Sequence, residues 1–183
     1  MQSGAVLILD NTKTFTDVPV DSPCWEAVTF VTAREIMYGD ENDAFAPDAA
    51  MTRAMALEML YSFARDAVWP ADASADERVR MTEEWAVEKG IVSPGDLETE
   101  VTRQDLALCL FRFAKAYGYD VSSVGTLDAY PDAADVAAEA EKALLWAAGY
   151  GLLDPAEDTL NPQSLASRAF AAGLMMRFVR NAR

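Results

Sequence analysis

A Thr-Arg or Ser-Arg pair occurs three times in this sequence, and each pair opens a stretch with the spacing of an amphipathic helix. The arginines of these pairs are Arg53, Arg103 and Arg168. An aliphatic residue or methionine follows seven positions later, at Leu60, Leu110 and Met175. A phenylalanine follows ten positions later, at Phe63, Phe113 and Phe178. Because these spacings return to one helical face, the sequence predicts three equivalent helices that pack through the same side.

The first and third copies also match upstream of the arginine. The tripeptides FTD (15–17) and YPD (130–132) both end 36 residues before their arginines, and FAP (45–47) corresponds to LNP (160–162). Between these markers lie helical stretches, CWEAVTFVTAREIM and AEKALLWAAGYGLL, each followed by a polar loop. Each unit is therefore predicted to be helix, loop, helix.

The middle copy is shorter and lacks the upstream tripeptide. Gly90 precedes Arg103 by 13 residues, whereas Gly151 precedes Arg168 by 17. One helix pair cannot bury its apolar face alone, so the three units are expected to form one all-α domain. The predicted array occupies 1–183, and its parts are repeat 1 (15–66), repeat 2 (67–120) and repeat 3 (128–180), with linkers near 66–76 and 119–128.

Composition excludes several classes of function. The chain carries 15 Lys and Arg against 30 Asp and Glu, a formal charge of −15 spread along its length, which argues against binding the phosphate backbone of nucleic acid. It has no histidine, so Ser-His-Asp triads and histidine metal sites are excluded. Cys24 and Cys109 are interpreted as small buried residues, with a single disulfide still open.

No apolar run is long enough to insert into a membrane as a spanning helix. The opening SGAVLIL lacks the charged start and the length of a secretory signal, so any export signal is expected outside this sequence.

The combined pattern resembles the S-layer homology (SLH) domain. Repeat 1 carries the resemblance in FTDVP, WEAVTFV and YGDENDAFAPDAAMTRAMALEMLY, and VTRQDLALCLFRFAKAYGYDVS and SRAFAAGLMMRFV resemble the second and third members of an SLH triplet. The resemblance implies a pseudo-threefold helical prism around a central helix bundle. It also implies inter-repeat grooves that bind anionic, often pyruvylated, secondary cell wall polymers.

By this resemblance the chain is a non-enzymatic anchor, extracellular at the cell wall or S-layer, with the remainder of a larger surface protein in cis and neither cofactor nor metal. The ligand-binding positions that it implies are Arg53, Arg103, Arg168, Asp17, Asp132, Gly39 and Trp25.

An arginine at the first helical position faces the positive end of the helix dipole, which costs roughly 0.3–1 kcal/mol. An anion bound beside free N–H groups would reverse that cost, because the cation and the dipole would then act on one carboxylate. A structural reading stays open: each arginine could pair with Asp17 or Asp132, and these aspartates could cap the turn before the first helix. Trp25 could be core, and Gly39 could serve the backbone geometry of its loop.

Departures from the SLH pattern leave alternatives for the function. The glutamate that normally closes the T-R-A-E motif is replaced at Met55 and Phe170, and Asp105 alone keeps an acid there. Asp154 stands where repeat 1 has Gly39 and would bring a negative charge toward a groove. The acidic loop GDENDA fails the EF-hand template and is interpreted as a solvated turn. A degenerate array with a structural or protein-interaction role is the main alternative, and a glycan-acting enzyme is a third.

Overall fold

The computed structural model describes residues 11–64, 70 and 72–182. The regular elements of these residues are all helical, which confirms the predicted all-α class. They are α1 (Trp25–Ala33), α2 (Arg53–Ala64), α3 (Ala75–Glu88), α4 (Arg103–Ala116), a short 3-10 helix (Ala133–Asp135), α5 (Ala138–Tyr150) and α6 (Arg168–Asn181). The opening SGAVLIL and the predicted boundary between repeats 1 and 2 at 66–67 lie outside the described residues. None of the described helices has the length and apolar character needed to cross a membrane.

The helices pack in pairs that cross the predicted repeat boundaries. Helix α3 packs on α2, α5 packs on α4, and α1 packs on α6. The first helix of each repeat therefore lies against the second helix of another repeat, and α1 packs on α6 at the other end of the series.

Three residues that precede the arginine helices form a closed set of backbone hydrogen bonds. The Met51 N–H donates to Ala166 O at 2.8 Å, the Ala166 N–H to Val101 O at 2.9 Å, and the Val101 N–H to Met51 O at 2.9 Å. All three residues are buried. Since each residue serves as both donor and acceptor, the three repeats are joined directly at one point.

The phenylalanines ten residues after the arginines meet one another in the core. The ring centroids are 5.9 Å apart for Phe63 and Phe113, 5.8 Å for Phe63 and Phe178, and 6.4 Å for Phe113 and Phe178. The residues seven positions after the arginines are fully buried at Leu60, Leu110 and Met175. The prediction that these positions share one packed helical face is confirmed.

The first helix of each repeat ends in the same way. A residue in the left-handed conformation follows the helix, and this is Gly90 (φ +70) in repeat 2, Gly151 (φ +74) in repeat 3 and Glu35 (φ +59) in repeat 1. The next residue is a buried aliphatic whose N–H bonds back to the helix, at Ile91, Leu152 and Ile36. Repeat 1 thus uses a glutamate at a position where a Cβ is unfavourable.

Candidate functional site

The N–H groups at the start of the arginine helices already have partners. In α2 the N–H groups of Arg53, Ala54 and Met55 donate to Thr99 O, Leu97 O and Thr52 Oγ1 at 2.8, 2.9 and 3.3 Å. The N–H groups of Arg103 and Arg168 likewise donate to Ser164 O and Ala49 O. The expectation that the N–H groups at these helix starts are free is therefore wrong. The physical reason is that a loop of another repeat lies over each helix start and accepts their hydrogen bonds.

Each arginine side chain also reaches into a loop of a different repeat. Arg53 donates through Nη2 to Ser93 O in repeat 2. Arg103 donates through both terminal nitrogens to the Glu157 carboxylate in repeat 3. Arg168 donates through Nη2 to Tyr38 O at 2.6 Å in repeat 1. The arginines thus link the repeats cyclically.

Because each arginine contacts a loop of another repeat, the predicted site residues of the loops lie near the arginine of a different repeat from their own. Arg168, not Arg53, serves the loop of repeat 1, because it also donates from Nε to Phe45 O at 2.7 Å and lies over the Phe45 ring. Burial lowers the pKa of the Arg168 guanidinium, and the charges of Asp17 and Asp40 oppose that shift. Asp17 and Gly39 therefore group with Arg168, and the sequence had associated them with Arg53.

Asp17 holds the end of the repeat 1 loop. Its carboxylate accepts hydrogen bonds from the N–H groups of Phe45 (2.8 Å) and Ala46 (2.7 Å), and Ala46 has a positive φ of 55°. Burial raises the pKa of the Asp17 carboxyl, but the two backbone hydrogen bonds outweigh this and leave the pKa below its ordinary value. Asp17 thus stabilises a strained turn.

Asp132 does the same in repeat 3, where it accepts from the N–H groups of Leu160 (3.0 Å) and Asn161 (2.7 Å). It precedes the 3-10 helix without a side-chain capping bond. The alternatives that these aspartates pair with an arginine, or cap the turn before the first helix, are not what the described residues show.

Gly39 is required by close packing and not by a positive φ. A Cβ at this position would overlap the Phe15 ring and lie 2.8 Å from Ala44 O. Trp25 is the first residue of α1, where it is half-buried and packs against the main hydrophobic core.

Among the described residues, three grooves along the arginine helices each hold one of the motif arginines Arg53, Arg103 and Arg168, contributed by another repeat. Groove 1 has a volume of about 190 Å³ and runs between the loop after α1 and helix α2. Its polar lining residues are Tyr38, Glu58, Ser62, Arg78 and Arg168, and its apolar lining residues include Met37, Met51, Met55 and Met59. The Tyr38 side chain is 59% exposed. Two arginines therefore face one carboxylate in this groove.

Glu58 is the carboxylate of groove 1. Burial raises the pKa of the Glu58 carboxyl, and the charge of Arg78 opposes that shift. The neighbouring Arg78 therefore favours the ionised form of a carboxylate that burial disfavours.

Groove 2 lies along α4 and has a volume of about 440 Å³. Its cations are Arg53 and Arg112, and its carboxylates are Asp96, Glu100, Asp105 and Glu139. Asp105 also forms the capping box of α4 with Thr102, as its position in the motif predicted. The surplus of acids makes groove 2 unfavourable for an anion.

Groove 3 lies along α6 and has a volume of about 690 Å³. Arg103 is paired there with Glu157, and Arg177 is paired with Asp154 at 3.1 Å. The negative charge expected at Asp154 is thus present in the groove but is balanced by Arg177.

Several residues of these grooves were not among the predicted site residues, and these include Arg78, Arg112, Arg177, Tyr38 and Glu157. Arg112 and Arg177 stand nine positions after the motif arginines of repeats 2 and 3, so their repetition was a usable signal. Tyr38 and Glu157 lie in loops whose lengths differ between repeats, and no spacing marked them. Among the described residues, no group of three or more Cys, Asp or Glu side chains is arranged to hold a metal ion.

Comparison with known families supports one part of the chain. Residues 14–56 match the family model of the S-layer homology domain, which is less than a quarter of the sequence. A comparison with curated proteins found no match. The matched segment runs from the FTDVP motif through the loop of repeat 1 into the start of α2. S-layer homology domains are binding modules that mediate anchoring to cell walls, so this segment associates the chain with the cell surface.

Proposed function

We propose that this chain is a non-covalent anchor that attaches a surface protein to the bacterial cell wall by binding an anionic, carboxylate-bearing secondary cell wall polymer. We further propose that its three repeats form a pseudo-threefold prism around the central helices. The closed hydrogen-bond set of Met51, Val101 and Ala166 supports that arrangement, as does the mutual contact of the three core phenylalanines.

The observation that carries the binding proposal is the charge of groove 1. A chain of charge −15 repels an anionic polymer at long range, so a binding groove needs a local excess of cations. Groove 1 has two arginines and one carboxylate, whereas groove 2 has four carboxylates and groove 3 has three. Groove 1 is therefore the best of the three for a ligand carboxylate.

The side chains of groove 1 suit a charged sugar. Arg168 is held in place through Nε and Nη2, and the described residues supply no hydrogen-bond partner for its Nη1, which is then available to a ligand carboxylate. The exposed ring of Tyr38 offers an apolar face for a pyranose ring. Arg78 on α3 adds a second cation to the same groove.

In this proposal the remaining predicted site residues shape the fold around the grooves. Arg53 is hydrogen-bonded to the repeat 2 loop. Asp17 and Asp132 accept hydrogen bonds from the backbone of the loops of repeats 1 and 3. Gly39 leaves room for the Phe15 ring to pack against it. Trp25 supports α1 from the core.

Calorimetric titration with purified wall polymer and with a pyruvylated amino-sugar fragment tests the proposal. Tyr38→Ala and Arg78→Ala are expected to weaken binding by about tenfold each, the loss of one good polar or stacking contact. Arg80→Ala is the matched control, because Arg80 is an exposed α3 arginine that pairs with Glu84 and does not line groove 1. Wild-type protein that is folded but binds neither ligand would favour the structural alternative, a degenerate array that contacts other proteins.

A further inference from the structure

The ion pair between Arg103 and Glu157 in groove 3 has the geometry of an arginine that binds a ligand carboxylate. Both terminal nitrogens of Arg103 face the two carboxylate oxygens of Glu157, and the guanidinium lies 4.1 Å from the centroid of the Phe170 ring. A forked guanidinium meeting both oxygens of one carboxylate is the arrangement by which arginine recognises free carboxylates. The Arg103 side chain is 16% exposed and the Glu157 side chain 40% exposed, so the guanidinium is the better shielded partner of the pair.

Comparison with the equivalent arginine of groove 1 shows what Glu157 changes. Arg168 uses Nε and Nη2 on the loop carbonyls of Phe45 and Tyr38. Arg103 instead directs its fork at Glu157, and its buried Nε has no hydrogen-bond partner among the described residues. Its guanidinium is thus arranged around the carboxylate and not around the loop backbone.

The same loop neutralises the second cation of groove 3. Asp154 pairs with Arg177, which also donates from Nε to Leu152 O at 2.6 Å. The loop that supplies Asp154 and Glu157 therefore provides a carboxylate for each arginine that lines this groove. The groove has a volume of about 690 Å³, but both of its arginines are paired with carboxylates of the protein.

We propose that groove 3 is a self-ligated copy of the polymer-binding groove, in which the Glu157 carboxylate occupies the place of a ligand carboxylate on Arg103 and excludes carboxylate-bearing sugars. This inference rests on the proposed function for the class of ligand. An intramolecular carboxylate is always present at its site, so an external anion binds only to the fraction of molecules in which Glu157 has left Arg103. Removing its charge converts groove 3 into a second site.

Glu157→Gln tests this, because glutamine keeps the size of the side chain and removes its charge. We would titrate the ¹⁵N-labelled protein with the pyruvylated amino-sugar fragment and follow backbone amides in groove 3 (Ser164, Phe170) and groove 1 (Tyr38, Met55). In Glu157→Gln the groove 3 amides are expected to shift saturably as the fragment is added. The wild type is expected to show no saturable shift there.

Glu26→Gln is the matched control. Glu26 lines the same groove but pairs with Arg180 at 2.7 Å, so its substitution removes one negative charge without releasing Arg103. Groove 3 amides that shift equally in Glu26→Gln would overturn the proposal, since general charge would then explain the gain. Wild-type binding in groove 3, or no binding there in a folded Glu157→Gln protein, would also overturn it.

The amides of groove 1 keep the two proposals apart. Shifts confined to groove 1 in both proteins would retain the proposed function and reject self-ligation. Shifts in groove 3 of Glu157→Gln without any in groove 1 would support self-ligation and reject groove 1 as the polymer site.

Discussion

Arg168 and Tyr38 are 130 positions apart in the chain, yet the guanidinium of the first donates a 2.6 Å hydrogen bond to the carbonyl oxygen of the second. Arg168 also donates to Phe45 O, so one side chain of α6 is hydrogen-bonded to both ends of the repeat 1 loop. The segment that matches the S-layer homology model therefore depends on a residue outside it for its loop conformation.

Arg168→Ala should destabilise the protein by about 2–3 kcal/mol, because two loop carbonyls lose a charged hydrogen-bond donor that is half-buried. Arg180→Ala on the same helix is the control, since its exposed pair with Glu26 should contribute less than about 1 kcal/mol. Urea unfolding followed by circular dichroism measures both. Equal losses for the two variants would show that the loop contacts of Arg168 do not contribute.

Asp17→Asn should lower stability by about 1 kcal/mol at pH 7, because the amide oxygen can accept only one of the Phe45 and Ala46 hydrogen bonds and the NH2 group then faces the other N–H. The folded pKa of Asp17 lies below its ordinary value of 3.8, so its contribution is present above that pH and is lost as the pH falls through the folded pKa. The free energies of unfolding of variant and wild type, measured at pH 7 and below pH 4, should therefore differ less at the acid pH. Asp21→Asn, exposed on the same segment, serves as the control.

Glu35→Gly should stabilise the protein by about 1 kcal/mol, because Glu35 holds a φ of +59° that glycine adopts without penalty. Glu35→Ala removes the same charge but keeps the Cβ, so its stability should stay near that of wild type. Gly90→Ala is the converse change, and it should cost about 1 kcal/mol from backbone strain alone, since a Cβ there has no atom within 4 Å. A stabilising Gly90→Ala would contradict this account of the helix ends.

Cys109 should resist alkylation in the folded protein. Burial raises the pKa of its thiol to about 11 from an ordinary 9.0, which lowers the thiolate fraction at pH 8 by about a hundredfold. Iodoacetamide labelling read by mass spectrometry, with and without urea, measures the protection. Equal labelling rates in the two conditions would show that the thiol is accessible in the native state. Both cysteines are free in the described chain, so a reducing agent should not change the result.

The buried face and the N-terminal cap of a helix could be predicted from the sequence, because both are local features. The spacing from Arg103 to Leu110 and Phe113 identified the buried face of α4, and Thr102 with Asp105 identified its cap. These features depend on contacts within one or two helical turns, so they are present in the order of the residues.

The arrangement of the grooves could not be recovered in the same way. Which loop lies beside Arg53 or Arg168 depends on the closure of α1 against α6, and no local pattern encodes that contact. The sequence therefore placed Asp17 in the same repeat as Arg53 and did not indicate that Arg168 lies beside its loop. Glu157 escaped notice for a related reason, because its importance comes from an arginine 54 positions away.

The closure of α1 against α6 also sets an order of events when the chain is made. The ribosome makes Tyr38 and Phe45 well before it makes Arg168, so the repeat 1 loop lacks these two hydrogen bonds while repeat 2 and most of repeat 3 are synthesised. Contacts this distant in sequence form slowly, and until they form the apolar face of α1 lacks its partner helix. Repeat 1 is thus the part of this helical array that is most exposed to misassembly until α6 has been made.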